Sequence, residues 1–184
     1  MTTAAAVPTG SGPSAALRTT SAATETAGTP APGGLHTSPA LSPAVAVSGA
    51  RLVSGAFQPV TGGPATGATV SGTGWVARAH SFATATVQLS GLLATGHYQV
   101  EARIAACAAH DGGAGYRVRG AGGTSVLRLV FQADFEGHAM ATARLSGTTS
   151  SDAKSLVLFA SGDSKGNAAG NSGSPVACAD LHTA

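Results

Sequence analysis

The chain has 184 residues, of which 43% are hydrophobic and only 10% are charged. This length fits one domain with a tail, and since aromatic residues make up 4% of the chain we expect a core of Ala, Val and Leu. The formal net charge of +2 and the scattered arginines exclude a surface built for nucleic acid, and no hydrophobic run approaches the roughly 20 residues of a membrane-spanning helix.

Residues 1–42 are rich in Thr, Ala, Pro, Ser and Gly and show no hydrophobic period. Such a composition buries too little apolar surface to offset the entropy of the chain. We therefore predict a disordered, low-complexity tail at 1–42 and a folded domain at 43–184. Residues 1–8 lack the basic and apolar regions of a signal peptide. The natural start lies upstream, export uses another route, or the protein stays inside the cell; we favour a missing or truncated signal.

Short apolar runs separated by Gly and Pro fill the first half of the domain. We predict strands at 44–48, 51–57 and 68–79. In Phe82–Leu89, Ala, Val and Leu alternate with Thr and Gln, and Tyr98–Ile104 alternates in the same way. A period of two with one polar side is typical of an antiparallel sheet that faces water on one side.

The second half of the domain continues this pattern. We predict strands ending near Ala133, covering Ala139–Leu145 and covering Ser155–Ala160, with a turn at Asp134–Gly137. No stretch shows the apolar stripe of an amphipathic helix. Many short strands with turns between them indicate an all-β sandwich or barrel.

Several motifs, in this order, resemble the copper/zinc superoxide dismutase family, particularly its divergent high-GC bacterial branch. They are Gly91-Leu-Leu-Ala-Thr-Gly96, Tyr98–Cys107, Asp134-Phe-Glu-Gly137 and the run from Ser155–Ala160 to Gly170–Cys178. The resemblance covers roughly residues 68–181. It implies a flattened Greek-key barrel of about eight antiparallel strands, and the family cofactors would be copper and zinc.

The two cysteines, Cys107 and Cys178, are either bridged or free and buried when the composition alone is considered. The resemblance implies a structural disulfide between them. Closing this loop would stabilise the fold by about 4 kcal/mol. A disulfide in turn predicts an oxidising compartment, so we expect an extracellular or cell-envelope protein.

The resemblance also implies where the metal ligands would lie, and this chain has other residues there. The two positions of the copper-binding His-x-His pair correspond to Glu101 and Arg103, and the copper ligand of the last strand corresponds to Phe159. An arginine cannot ligate a metal, because its guanidinium stays protonated. We interpret these as degenerate positions on a solvated strand face, where Glu101 and Arg103, if they interact, form an exposed ion pair of little energetic value.

The remaining family positions are replaced in the same way. The zinc-loop histidine corresponds to Tyr116 or Gly115, the zinc aspartate to Val130 and the substrate-guiding arginine to Pro175. We therefore predict no bound metal and no catalytic residues. The chain also contains no nucleophile elbow, phosphate-binding loop or His-Glu-x-x-His motif.

The preferred interpretation is an exported structural or binding domain with an unknown partner, which has lost metal binding and dismutation. The alternative is residual superoxide dismutase activity or copper/zinc binding at a relocated site formed by His97, Glu101, His110 and Asp111. A third hypothesis is a cell-envelope interaction module that uses the polar side of Gln99–Arg103. A homodimer is an expectation from the family alone.

Overall fold

The computed structural model describes residues 36–37 as backbone and residues 41–61, 69–108, 113–149, 151–160 and 173–184 in full. Within these ranges the protein is all-β, apart from a short 3-10 helix at Ala44–Ala46. None of the described residues belongs to a helix that is long and apolar enough to cross a membrane. The all-β prediction is confirmed.

The described strands pair in an antiparallel manner throughout. In chain order they are β1 (His36–Thr37), β2 (Arg51–Ala56), β3 (Gln58–Pro59), β4 (Ser71–Arg78), β5 (Phe82–Ser90), β6 (His97–Arg103), β7 (Arg117–Gly120), β8 (Gly123–Val126), β9 (Arg128–Gln132), β10 (Ala139–Ser146), β11 (Ser155–Ala160), β12 (Pro175–Asp180) and β13 (His182–Thr183).

These strands form three sheets. A six-stranded sheet has the order β1-β10-β5-β4-β2-β13, a five-stranded sheet has the order β3-β12-β11-β6-β9, and β7 and β8 form a separate hairpin. No closed barrel is found in the described parts of the chain. The antiparallel sheets agree with the all-β architecture predicted from the strand pattern. The Greek-key barrel of about eight strands, which the resemblance implies, stays a prediction.

The two larger sheets contribute side chains to one hydrophobic core. Its composition follows the low aromatic content, because Ala, Val and Leu dominate it. In β5 the residues at every second position, from Ala83 to Leu89, are buried, as the alternation predicts. In β6 the core positions are Tyr98, Val100 and Ala102. The predicted fourth inward residue, Ile104, is 44% exposed, because β6 already ends at Arg103.

The outer side of the six-stranded sheet carries a row of threonines that we call the threonine face: Thr84, Thr86 and Thr142. All three are buried, so the predicted wet side is in fact covered here. The covering residue is Ala44, whose backbone N–H donates to Thr86 Oγ1 at 2.9 Å. The Thr86 and Thr142 hydroxyls also lie 3.0 Å apart and share a hydrogen bond.

The strand predicted at 44–48 is wrong. Ala44–Ala46 forms a 3-10 helix that follows Pro43, and the Ala46 N–H donates to the Pro43 carbonyl oxygen at 2.9 Å. Proline fixes its own φ and has no N–H for a sheet ladder, so it favours the start of a helical turn. This turn lets the small Ala44 side chain approach the threonine face.

Two residues of the predicted tail take part in the fold. The backbone of His36–Thr37 pairs with Arg144 and Ala143 of β10 and so extends the six-stranded sheet by one short strand. Residues 1–35 and 38–40 lie outside the described residues, and the prediction of disorder for them stays a prediction.

Candidate functional site

Strand β6 positions the candidate site on the outer side of the five-stranded sheet. Its alternate residues Gln99, Glu101 and Arg103 point away from the core, because Tyr98, Val100 and Ala102 point into it. On the neighbouring strand β11, Val157 pairs with Glu101 and Phe159 pairs with Gln99. Paired residues project to the same side of a sheet. We call this set the charged face: Gln99, Glu101, Arg103, Val157 and Phe159.

The charged face contains a connected set of polar contacts. The Arg103 Nη2 lies 2.8 Å from Glu101 Oε2, and Gln99 Nε2 donates to Glu101 Oε1 at 2.6 Å. The Arg103 Nη1 donates to the Gly113 carbonyl oxygen at 2.7 Å. The Arg103 guanidinium carbon also lies 5.3 Å from the centre of the Phe159 ring, within the range of a cation–π interaction.

The prediction that Glu101 and Arg103 form a solvated ion pair is half wrong. The pair exists, but the Glu101 side chain is only 11% exposed and the Arg103 side chain only 15%. The chain after β6 turns back and pairs with the end of this strand, since the Ile104 N–H donates to the Ala114 carbonyl oxygen at 3.1 Å and Arg103 pairs with Gly115. An alternating pattern predicts the side of the sheet on which a residue lies, and it does not predict what covers that side.

The residues at the positions that the resemblance implies gather on this face with one exception. Glu101, Arg103 and Phe159 belong to it, Val130 of β9 pairs with Gln99, and Pro175 of β12 pairs with Phe159. Neighbouring side chains across the sheet therefore occupy five of the six positions that the sequence singled out. Val130 is 47% exposed and Phe159 is 3% exposed, so the face is open at the β9 edge and closed near β11.

The exception is Tyr116, which is fully buried in the core on the other side of the sheet. Its backbone N–H donates to the Ala102 carbonyl oxygen at 2.7 Å. Burial raises the pKa of the Tyr116 phenol, and the Thr149 side chain opposes this shift in part. The contact between these two buried hydroxyls falls short of a hydrogen bond. Tyr116 is therefore a core residue with a poorly satisfied hydroxyl and does not join the charged face.

The disulfide between Cys107 and Cys178 is confirmed. The two Cα atoms lie 5.9 Å apart, which is the usual distance for a bridged pair, and 71 positions separate the cysteines in the chain. Cys178 packs with Val157 and Phe159 of the charged face in a small apolar cluster. The Cys107 N–H donates to Asp180 Oδ1 at 2.7 Å, which further fixes the chain after β6 to β12.

The relocated metal site is only partly within the described residues. His110 and Asp111 lie outside them. His97 and Glu101 are four positions apart on β6, which places them about 13 Å apart along an extended strand. One ion with ligands at about 2 Å could contact both residues only if the two side chains extended toward each other along the strand. Among the described residues, no group of three His, Cys, Asp or Glu side chains is arranged to hold a metal ion.

The turn predicted at Asp134–Gly137 is present and packs on the Gly91–Gly96 loop. The Leu92 N–H donates to the Gly137 carbonyl oxygen at 3.0 Å, and the Thr95 N–H donates to the Asp134 carbonyl oxygen at 3.1 Å. The hydrogen bond from the His138 backbone N–H is the main cause that lowers the pKa of Asp134. Two motifs that are far apart in the sequence therefore meet at one end of the sheets.

A second polar cluster was missed by the sequence reasoning. Asp152 lies between two arginines of β2 and β4, with its Oδ2 at 3.2 Å from Arg51 Nη1 and its Oδ1 at 3.2 Å from Arg78 Nη2. The three residues are spread over about 100 positions of the chain, and no local pattern connects them. The sequence gives no signal for this cluster, because only the pairing of β2 with β4 brings the arginines together.

Two comparisons with known proteins identified no relative of this chain. A scan of the chain against protein-family models found no match, and a search of the curated proteins found none either. The resemblance to superoxide dismutases therefore rests on the sequence motifs and their order.

Proposed function

We propose that this chain is an exported domain of the copper/zinc superoxide dismutase-like fold, in which a structural side-chain cluster has replaced the metal site. The domain then acts in a structural or binding role and does not dismutate superoxide. One observation carries the proposal: at the three positions that the resemblance assigns to copper ligands, Arg103 contacts both Glu101 and Phe159 on one face.

The residues of the charged face do not fit a copper ion. A copper ion that cycles between two oxidation states is best held by imidazole nitrogens. Phe159 has no donor atom, and the Arg103 guanidinium has no lone pair to offer. Glu101 is the one potential ligand of the three, and its carboxylate already accepts hydrogen bonds from Arg103 and Gln99.

The charge balance of the face also disfavours a cation. The Arg103 guanidinium is within hydrogen-bond distance of Glu101 and Gly113, so it is held in the centre of the face. A metal ion placed there would have to displace a positive charge that neighbouring groups already stabilise. The Arg103 guanidinium therefore balances the negative charge of Glu101, and no bound cation is needed for this.

The path of the chain supports the finer fold assignment. Successive strands change between the two larger sheets from β2 to β3, β3 to β4, β5 to β6, β9 to β10, β10 to β11 and β12 to β13. Such crossings between two antiparallel sheets are typical of Greek-key architectures. The contact between the Gly91–Gly96 loop and the Asp134–Gly137 turn supports the same assignment, since both segments belong to the motifs that carry the resemblance.

The disulfide supports export. Structural disulfides persist in oxidising compartments and are rare in the reducing cytosol. Both cysteines of the chain are committed to this bond. A cell-envelope or extracellular location is therefore proposed with the domain.

Metal analysis of the purified protein tests the proposal. The protein is incubated with copper and zinc salts, excess ions are removed, and the bound metals are measured by elemental analysis. We expect no stoichiometric copper or zinc and no dismutase activity. Near-unit copper per chain would overturn the proposal and would favour the alternative of a relocated site.

A variant with restored imidazoles provides the matched comparison. Glu101→His, Arg103→His and Phe159→His together place three imidazoles on one face of the same frame. If this face corresponds to the family copper site, the triple variant should retain copper while the parent does not. A triple variant that keeps the circular dichroism spectrum of the parent and still binds no copper would contradict the assignment of these positions.

A further inference from the structure

Two arginines lie directly opposite each other on neighbouring strands of the six-stranded sheet. Arg51 of β2 pairs with Arg78 of β4. Like charges in directly opposed positions destabilise a sheet unless another group compensates them. Asp152 compensates in part, because its two carboxylate oxygens each contact one of the arginines at 3.2 Å. The single negative charge of Asp152 is thus shared between two guanidiniums, and this group of three residues keeps a net positive charge.

A cavity of about 480 Å³ opens beside this pair. Its wall includes Arg51, Arg78 and His80 together with Thr148 and Thr149. The volume falls within the range of pockets that hold small molecules. Asp152 does not line the cavity, so the carboxylate approaches the two guanidiniums from outside it.

The arginines retain hydrogen-bonding capacity toward the cavity. A guanidinium has five N–H donors. Arg51 uses Nη1 for Asp152, while Arg78 uses Nη2 for Asp152 and Nη1 for the Ser151 carbonyl oxygen at 3.2 Å. These contacts use only some of the N–H donors and leave further N–H groups for a ligand.

The opposite wall is held in place by backbone hydrogen bonds. The Thr148 N–H donates to the Arg119 carbonyl oxygen at 2.9 Å, and the Arg119 N–H donates to the Thr148 carbonyl oxygen at 2.8 Å. The Gly147 N–H next to it donates to the Ser81 carbonyl oxygen at 2.7 Å. The pairing of β2 with β4 fixes the backbone on one side of the cavity. The pairing of Thr148 with Arg119 fixes the backbone on the other side.

We propose that this cavity binds a small molecule through an oxyanion group, which Arg51 and Arg78 hold between them. Paired N–H donors of arginine match the geometry of phosphate, sulfate and carboxylate oxygens. His80 and Thr148 supply additional hydrogen-bonding groups on the wall. This site does not depend on whether the charged face binds a metal, since its arginines lie on β2 and β4 and it shares no residue with that face.

Calorimetric titration of the full chain with inorganic phosphate tests this site at constant ionic strength. We expect saturable binding with one site per chain. Arg51→Gln should weaken binding about tenfold or more, because a hydrogen bond to a charged group is lost. Arg51 is exposed on one side, so the variant should fold. Arg117→Gln is the matched control, since it removes the same charge from an exposed position outside the cavity.

The outcomes separate a site from a general effect of charge. Binding that is weakened by Arg51→Gln and kept by Arg117→Gln supports the site. Equal weakening by both substitutions, or titration without saturation in the parent, overturns it. Parallel titrations with sulfate and acetate then assign the oxyanion class, since the three ions differ in charge and shape.

A second variant should move the affinity in the opposite direction. Asp152→Asn removes the internal carboxylate that competes for both arginines. We expect phosphate to bind this variant several-fold more tightly than the parent. Unchanged or weaker binding in a folded Asp152→Asn variant would overturn the proposal, because the arginines would then not be the groups that hold the anion.

Discussion

The threonine face and the charged face are both outer sides of sheets, and both are covered by neighbouring chain. On the threonine face, Thr86 accepts the Ala44 N–H and shares a hydrogen bond with Thr142. On the charged face, Glu101 pairs with Arg103, and the segment that follows β6 covers Val157 and Phe159 through Cys107. One face buries neutral hydroxyls, and the other buries a complete pair of charges.

The two faces differ in what is needed to bury a neutral hydroxyl and what is needed to bury a charged side chain. Burying a hydroxyl costs little once it has a hydrogen bond, and at Thr86 the 3-10 turn at Ala44–Ala46 supplies one. Burying a charge costs far more and needs a partner in fixed geometry. The charged face accordingly has a covalent clamp, since the Cys107–Cys178 bond fixes the covering segment to β12.

Breaking the clamp should have the largest effect. Cys107→Ser opens a loop of 71 positions, and we expect a loss of about 4 kcal/mol in the free energy of unfolding. In thermal unfolding this corresponds to a midpoint lower by on the order of 10 °C. The parent protein in reductant should approach the same midpoint. A variant that unfolds at the parent's temperature under oxidising conditions would mean that the bond does not stabilise the covering segment.

Removing one partner of the buried pair should have the next largest effect. Arg103→Ala removes the cation that contacts the shielded Glu101 carboxylate, and we expect a cost of about 3 kcal/mol in denaturant unfolding. Replacing both residues, as in Glu101→Leu with Arg103→Met, should cost clearly less because no unpaired charge remains. The single variants Glu101→Leu and Arg103→Met complete the comparison. If the double variant lost as much stability as these two single variants lose in sum, the two side chains would not act as a pair.

The threonine face offers a pair of matched substitutions with smaller effects. Thr86→Val removes the acceptor of the Ala44 N–H, and we expect a cost of about 1 kcal/mol in denaturant unfolding. Thr84→Val should be neutral or slightly stabilising, because the Thr84 hydroxyl is buried without a hydrogen bond among the described residues. Equal costs for the two substitutions would show that packing, and not the hydrogen bond, joins Ala44 to the sheet.

The strands could largely be predicted from the sequence, because alternation of side chains is a local signal. Residues 82–89 and 98–102 show the predicted inward positions, and the turn at Asp134–Gly137 forms where its residues indicate. The errors occur where a strand ends or a proline intervenes, as at Ile104 and at Ala44–Ala46. Local patterns carry little information on the end of a strand.

The candidate site could be predicted only in part. Alternation along β6 predicts one side of the sheet for Glu101 and Arg103, and the pairing of β6 with β11 puts Phe159 on that side. The correspondence of these residues to family copper ligands stays a prediction. The contact of Arg103 with the Gly113 carbonyl oxygen depends on how the chain folds back after β6, which no periodicity describes. The Arg51–Asp152–Arg78 cluster depends in the same way on strand register and on a distant loop.

The disulfide also determines how the chain would respond to proteolysis. Strands β7 to β11 and the first part of β12 lie within the covalent ring that Cys107 and Cys178 close. A protease that cut the backbone once anywhere inside this ring would leave both fragments joined. The nicked protein would migrate as one species under non-reducing conditions and separate into two fragments only when a thiol is added.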